Sequence, residues 1–332
     1  MEVFYPNYYK KFVCIAAQCP DSCCKEWSVD VDSEAAALYR KLPGPLGDRL
    51  RSVLQDTEDG TVMVIENGRC PMWRKDGLCE IQAQLGHDAL CKVCREFPRL
   101  HHDYGDFVEL GLELSCPEAA RLILTQPKPD ILAQTVSGGE APEYDTETMA
   151  VLQRTRKVFL DFLEGAVLPF PQILKILLLY AYDVQAELDG GKMAVLFPDV
   201  SIAGVTATAD AQPLQDFFLG LEILTPQWKA RLESPTVSPQ WATQHKALLH
   251  YFILRYWLQA VSDYDIVCRA KFAIAACLLI GFLGGDLIET AQLFSKEIEN
   301  DPDNVEAILD GAYTAPALTD KYLLGLLAEE TV

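Results

Sequence analysis

Apolar and polar positions follow two rhythms along this chain, and the change comes a little over a third of the way in. The first part holds short stretches with partial period-two alternation. "WSVDVD" (27–32), "TVMVIENG" (61–68) and "FVELGLELSC" (107–116) predict strands. "SEAAALYRKL", opening at Ser33, has the acid and alanines of a helix start, and "PGPLGD" (43–48) breaks the chain. "PEAARLILTQ" predicts a helix with Pro117 in its first turn. Proline, glycine, serine and threonine then crowd residues 125–148, which predicts a linker or long loop at 127–148.

Beyond that point the spacing is helical. "ETMAVLQRTRKVFLDFLEG" (147–165) carries an apolar stripe and stops at Gly165. "PFPQILKILLLYAYDVQAELDGG" is apolar nearly all round and predicts a core helix. "TPQWKARLE" offers Thr225 as N-cap and Pro226 at the first helical position. "WATQHKALLHYFILRYWLQAVSDYD", the run at 267–284, "DLIETAQLFSKEIEND", "NVEAILDGAY" and "LTDKYLLGLLAEE" supply further helices. The fold class predicted is mainly α: a small mixed α/β cysteine-rich N-terminal domain over 1–126, and a helical C-terminal domain over 149–332.

The longest apolar run, Phe272 to Gly285, is shorter than a membrane span and predicts a buried helix, with no membrane role. Its "AIAACLLIGFLGGD" resembles a strand and glycine turn, but it is rich in Ala and Leu and lacks GxGxxG. No Walker A, HExxH or GxSxG pattern occurs, so no standard catalytic motif is present. "MEVFYPNYYKKF" has no apolar core of a secretory signal, which predicts a cytoplasmic protein with reduced thiols. A net charge of −20 argues against nucleic acid and favours a basic or lysine-bearing partner, though acidity also serves solubility.

Cysteine changes the picture most. Nine of the 11 lie between Cys14 and Cys116, and the other two, Cys268 and Cys277, fall in an apolar helical pattern as core residues. A disulfide framework conflicts with the odd count and the missing signal; unrelated buried thiols conflict with the local spacing. A metal or iron–sulfur site remains. Cys91 and Cys94 form a CxxC; Asp76-Gly77 predicts a hairpin turn that sets Cys70 across from Cys79. The neighbours Cys23 and Cys24 diverge, so one ligates while the other packs, or they serve different metals. Cys116 precedes a helix whose free N–H groups favour a thiolate. Zinc usually takes two CxxC pairs and only one is present, so a cluster enclosed by a compact domain suits the spread better, with one or two structural zincs as the alternative. His87, His101 and His102 read as loop or surface. The CxxxCxxC of radical chemistry fails, because Glu26 stands where its third cysteine belongs.

"FVCIAAQCPDSCCKEWSVDVD", "CPMWRKDGLCEIQAQLG", "CREFPR" and "LSCPEAARLIL" together resemble the flagellin lysine-N-methylase family, within the wider group that has a zinc- or iron-chelating cysteine domain. "HYFILRYWLQAV" and "FSKEIENDPDNVEAIL" are similar to that family's helical half, so the resemblance covers nearly the whole chain. It implies methyl transfer from S-adenosylmethionine to lysines of flagellin or another lysine-bearing protein, with a [4Fe-4S] cluster at the cysteines and zinc as the alternative metal. By motif match, Cys14, Cys19, Cys23, Cys24, Cys70, Cys79, Cys94 and Cys116 fall on the family's pattern; Cys91 is not placed by it. Four thiolates hold one cubane. Glu26, Asp30, Asp32 and Glu118 are candidates to accept or steer a proton, and Arg95 and Arg99 to hold an anion such as the cofactor carboxylate. The competing reading is a metal-binding protein without catalysis whose helical half binds a partner.

Overall fold

The computed structural model describes residues 1–332 except 26–28, 66, 127, 198–206, 209 and 329–332. Two sheets lie in the N-terminal part. β1 (Glu2–Pro6), β5 (Arg99–Asp103), β6 (Phe107–Leu112) and β7 (Ile131–Thr135) form the larger, in the order β5-β6-β1-β7. β1 runs parallel to β6, with Glu2 beside Phe107, and antiparallel to β7, with Glu2 beside Thr135. β2 (Val29–Val31), β3 (Leu54–Thr57) and β4 (Gly60–Met63) form the smaller, in the order β2-β4-β3. All three expected strands are present in trimmed form. "WSVDVD" keeps 29–31, with Trp27 and Ser28 outside the described residues; "TVMVIENG" pairs only as far as Met63.

Five helices intersperse these strands: α1 (Ser33–Lys41), α2 (Gly44–Val53), α3 (Glu80–Leu85), α4 (Lys92–Glu96) and α5 (Pro117–Leu124). The expected break at "PGPLGD" is instead the start of α2. Pro43 is its N-cap and Pro45 sits in its first turn, where a missing N–H costs nothing. The helical part holds α6 (Thr146–Gly165), α7 (Phe170–Leu188), α8 (Gln212–Leu219), α9 (Pro226–Leu232) and α10 (Thr243–Tyr256), then α11 (Val267–Leu283), α12 (Leu287–Phe294), α13 (Pro302–Thr314) and α14 (Asp320–Leu326). Thr225 caps α9 as expected, its Oγ1 accepting from Trp228 N at 3.1 Å. Every residue of α11 is buried, and it packs against α7, α10, α12 and α13. "AIAACLLIGFLGGD" is therefore a central helix and not the opening strand of a nucleotide fold; Cys268 and Cys277 are core residues in it. Among the described residues no helix is long and apolar enough to cross a membrane.

The core divides elsewhere than the sequence does. One small cluster gathers Val29, Tyr39, Leu50, Met63, Met72 and Ile81 with Cys70 and Cys91. The main cluster joins the helical part to Tyr8, Phe12, β6 and α5. Residues 127–148, read as a linker or long loop, carry β7, whose backbone pairs with β1 along its whole length. The larger sheet and α5 thus belong to the packing of the helical body, and residues 29–94 sit beside it with their own core.

Candidate metal centre

Five separate stretches deliver nine thiols to one region. Cys14 follows a 3-10 turn at Tyr9–Lys11, and Cys19 closes a second at Ala16–Gln18, its N–H donating to Ala16 O at 3.0 Å. Cys24 N donates to Ser22 Oγ at 3.1 Å, and Cys24 O accepts from Cys70 N at 2.8 Å. The expected hairpin is present: Gly77 takes φ +81 at its tip, Arg74 N reaches Leu78 O at 2.9 Å, and Trp73 pairs with Cys79. Glycine suits that left-handed position. Cys79, Cys91 and Cys116 are the N-caps of α3, α4 and α5, so three helices begin at thiols.

These thiols line two adjoining cavities. The larger, about 430 Å³, is walled by Cys14, Cys19, Cys23, Cys24, Cys79, Cys94 and Cys116. The smaller, about 20 Å³, is walled by Cys23, Cys24, Cys70, Cys79, Cys91 and Cys94, with Tyr39 and Met72. Cys23 and Cys24 both face this region, although adjacent side chains were expected to diverge. Cys91, which the motif match left out, is only 2% exposed and sits among the others. Its CxxC spacing to Cys94 was the signal that pointed to it.

The thiols hydrogen-bond one another. Cys24 bonds both Cys23 and Cys70, and Cys91 bonds Cys94. These bonds and burial hold Cys23 and Cys94 well above the usual cysteine range, while the same bonds pull Cys70 and Cys91 below it. Cys116 is pushed up to about 12, because burial outweighs the N–H groups of Ala119 and Glu118 aimed at it. The helix start favours a thiolate there, but less than burial opposes it. Among the described residues, no three His, Cys, Asp or Glu side chains already stand as the ligands of one ion. The donor set nonetheless suits a thiolate-held group: soft sulfur, enclosed, arriving from several elements.

The other candidates separate cleanly. Asp32 is a cap, accepting from Ala35 N at 3.0 Å and from Lys92 N at 2.6 Å. Glu118 pairs with Arg121 along α5 at 2.7 Å. Asp30 lies on the exposed face of β2, and Glu26 is outside the described residues. Arg95 turns to Leu90 O at 3.5 Å, whereas Arg99 lines the larger thiol cavity and stacks over Phe12 at 5.2 Å. His87 also reaches that cavity's wall.

A stretch of 135 residues is 30% identical to the flagellar biosynthetic protein FliU of Salmonella muenchen, covering 37% of this chain and 76% of that relative. The chain belongs to the flagellin lysine-N-methylase family. The lysine-N-methylases of Salmonella typhimurium and Salmonella choleraesuis match at the same identity over 135 residues, and there the match spans 32% of each relative's length. No family model and no solved structure matches the chain.

In this family member the helical body reaches the thiol cavity at an irregular turn, with Leu224 and Asn300 also on the cavity wall. Residues Ser295–Glu299 form a π-helical turn after α12, and all five are buried. Lys296 lines the thiol cavity and pairs with Asp21 at 3.0 Å; Gln292 bonds Asp21 at 3.2 Å and Ser115 O at 2.8 Å. Three residues on, Glu299 accepts from Tyr251 and Tyr256 and faces Arg255 at 3.3 Å. Arg255 also donates to Glu113 at 3.1 Å and to Tyr251 Oη at 2.6 Å. Sequence reasoning passed over this cluster because its members are scattered from residue 113 to 299.

Proposed function

We propose that this protein methylates lysine side chains of flagellin or of another lysine-bearing protein, using S-adenosylmethionine, and that its N-terminal cysteines hold a [4Fe-4S] cluster, with zinc as the alternative metal. The observation that carries the reading is the identity to FliU over three quarters of that relative, together with nine thiols converging on one region. Relatives named lysine-N-methylase support the activity.

The reaction requires a neutral lysine amine. Its lone pair attacks the sulfonium methyl, a C–N bond forms as the C–S bond breaks, and S-adenosylhomocysteine leaves. The nitrogen then sheds a proton to a protein group or to water. Cys14, Cys19, Cys23, Cys24, Cys70, Cys79, Cys94 and Cys116, with Cys91, are the residues that would hold the metal group. A bound cluster supplies a rigid, redox-capable cross-link between the five thiol-bearing stretches. The net charge of −20 draws an ammonium-bearing substrate toward the surface.

The test is to purify the protein without oxygen, measure iron, sulfide and zinc, and incubate it with methyl-labelled S-adenosylmethionine and flagellin. Label on flagellin lysines, with iron and sulfide in equal amounts, is the expected result. Stoichiometric zinc with label retains methyl transfer and replaces the cluster. No label on flagellin or on any lysine-bearing protein, with metal bound, would establish the second reading, a metal-binding protein without catalysis. The burial of Cys70 and Cys91 inside the small core favours a structural part for at least those thiols.

A further inference from the structure

Another cavity stands apart from those lined by cysteines. It measures about 530 Å³ and lies between the larger sheet and helices α6 and α10, sharing no lining residue with either thiol cavity. That volume is typical of small-molecule sites. Three kinds of wall meet in it. Phe4 of β1, on the sheet face that also carries Ala133, joins Leu100, Leu160 and Leu254 in an apolar lining suited to a flat ring.

One buried polar group without a partner belongs to a residue of the same lining. His102 Nε2 is buried and finds no hydrogen-bond partner among the described residues. Tyr8 and His250, each 3% exposed, also line this space. Buried polar groups in folded proteins are nearly always satisfied, so an unpartnered imidazole nitrogen beside a cavity points to a ligand with a hydrogen-bonding edge.

Charges of both signs complete the lining. Arg156 forks onto Glu109, one arm at 2.8 Å, with both side chains mostly buried. Asp130, Lys157, Asp161 and Glu164 stand at the more exposed rim. A multiply anionic ligand would meet three rim carboxylates, and a wholly apolar one would leave His102 Nε2 unserved. A nucleoside with a zwitterionic, positively charged tail meets all three kinds of wall.

Building on the proposed methyl transfer, we infer that this cavity, and not the thiol cavity, is the S-adenosylmethionine site. The purine lies on the Phe4 wall, the unpartnered His102 group meets a polar edge, and the amino-acid tail runs between Arg156 and the rim carboxylates. The Arg255 network joins this cavity, at Tyr251, to the π-turn whose Lys296 faces the thiols.

The test is calorimetric titration of S-adenosylmethionine into the full-length, metal-loaded protein and three variants. Ala133→Trp fills the cavity from an exposed position on the edge strand β7, where a large side chain leaves the core untouched. Arg156→Gln removes the buried charge, and Arg99→Gln alters the thiol cavity. Circular dichroism confirms that each variant is folded. The expected result is binding to wild type and to Arg99→Gln, with affinity weakened about tenfold or more in Ala133→Trp and in Arg156→Gln. Wild-type affinity in both of those, with loss in Arg99→Gln, would put the cofactor among the thiols and overturn the inference while sparing methyl transfer. Absence of binding by wild type itself would instead overturn the methyl-transfer reading on which the inference stands.

Discussion

Glu299 shows how much one residue carries here. Its side chain is fully buried and answers Arg255, Tyr251 and Tyr256 together. Removing one charge of such a set strands the other. Glu299→Gln is expected to lower stability by about 3 kcal/mol in urea unfolding. Glu233→Gln, which loses only an exposed pair 3.8 Å long with Lys229, should change it by less than about 0.5 kcal/mol. His250 carries a pH signature. Burial first, then Arg156, lowers its pKa to about 4 from an ordinary 6.5. Its neutral form is favoured in the folded state, so its contribution is complete above pH 6.5 and drains as pH falls toward 4. Burial lowers His102 and His245 too, in the same sense. Glu113 and Glu297, raised by burial, act in the opposite sense around and above pH 4.5. Stability of His250→Leu, compared with wild type between pH 4 and 7, should therefore show a shallower fall on acidification. At this scale the sequence was most legible at the cysteines, because thiols crowd visibly. Glu113, Arg255 and Glu299 were not legible, since nothing local marks residues that meet only through folding.

Elements held by side-chain pattern were read well, and those held by backbone pairing were not. The long helices α6, α7 and α11 and the short α9 fall where periodicity and caps put them. Strand β7 is exposed at every position, so no alternation betrays it; only its hydrogen bonds to β1 make it a strand. β5, "RLHHD", is nearly as polar. In "PGPLGD" the break signal and the helix-start signal are the same residues, and the second prevailed. Asp32 gives this scale its test. One carboxylate caps α1 through Ala35 N and holds the first residue of α4 through Lys92 N, so it fixes the turn carrying Cys91 and Cys94. Asp32→Ala should cost about 1 to 2 kcal/mol by chemical denaturation, and Asp32→Asn clearly less.

Across the whole molecule, two cores of unequal size meet at the thiols. The small one belongs to residues 29–91, and the large one runs from Tyr8 to Leu327. A composition shift cannot reveal that boundary, because β1, β6, β7 and α5 come from the cysteine-rich part of the chain yet pack with the helices. Heating should unfold the molecule in two steps, the smaller unit first. A metal bound at the thiols adds its binding energy to the unit that supplies most of them. Chelation should therefore lower the first transition and leave the second in place, as read by scanning calorimetry beside hydrogen exchange of α11. The turn at Ser295–Glu299 imposes a constraint of counting. A π turn holds one residue more than regular helix needs. Deleting Glu297 or Ile298 would let the helix close up, but Lys296 and Glu299 would then stand two residues apart instead of three, swinging one side chain relative to the other by about 100°. Lys296 and Glu299 could then no longer serve Asp21 and Arg255 at once. This stretch of the chain should tolerate changes of residue far better than changes of length.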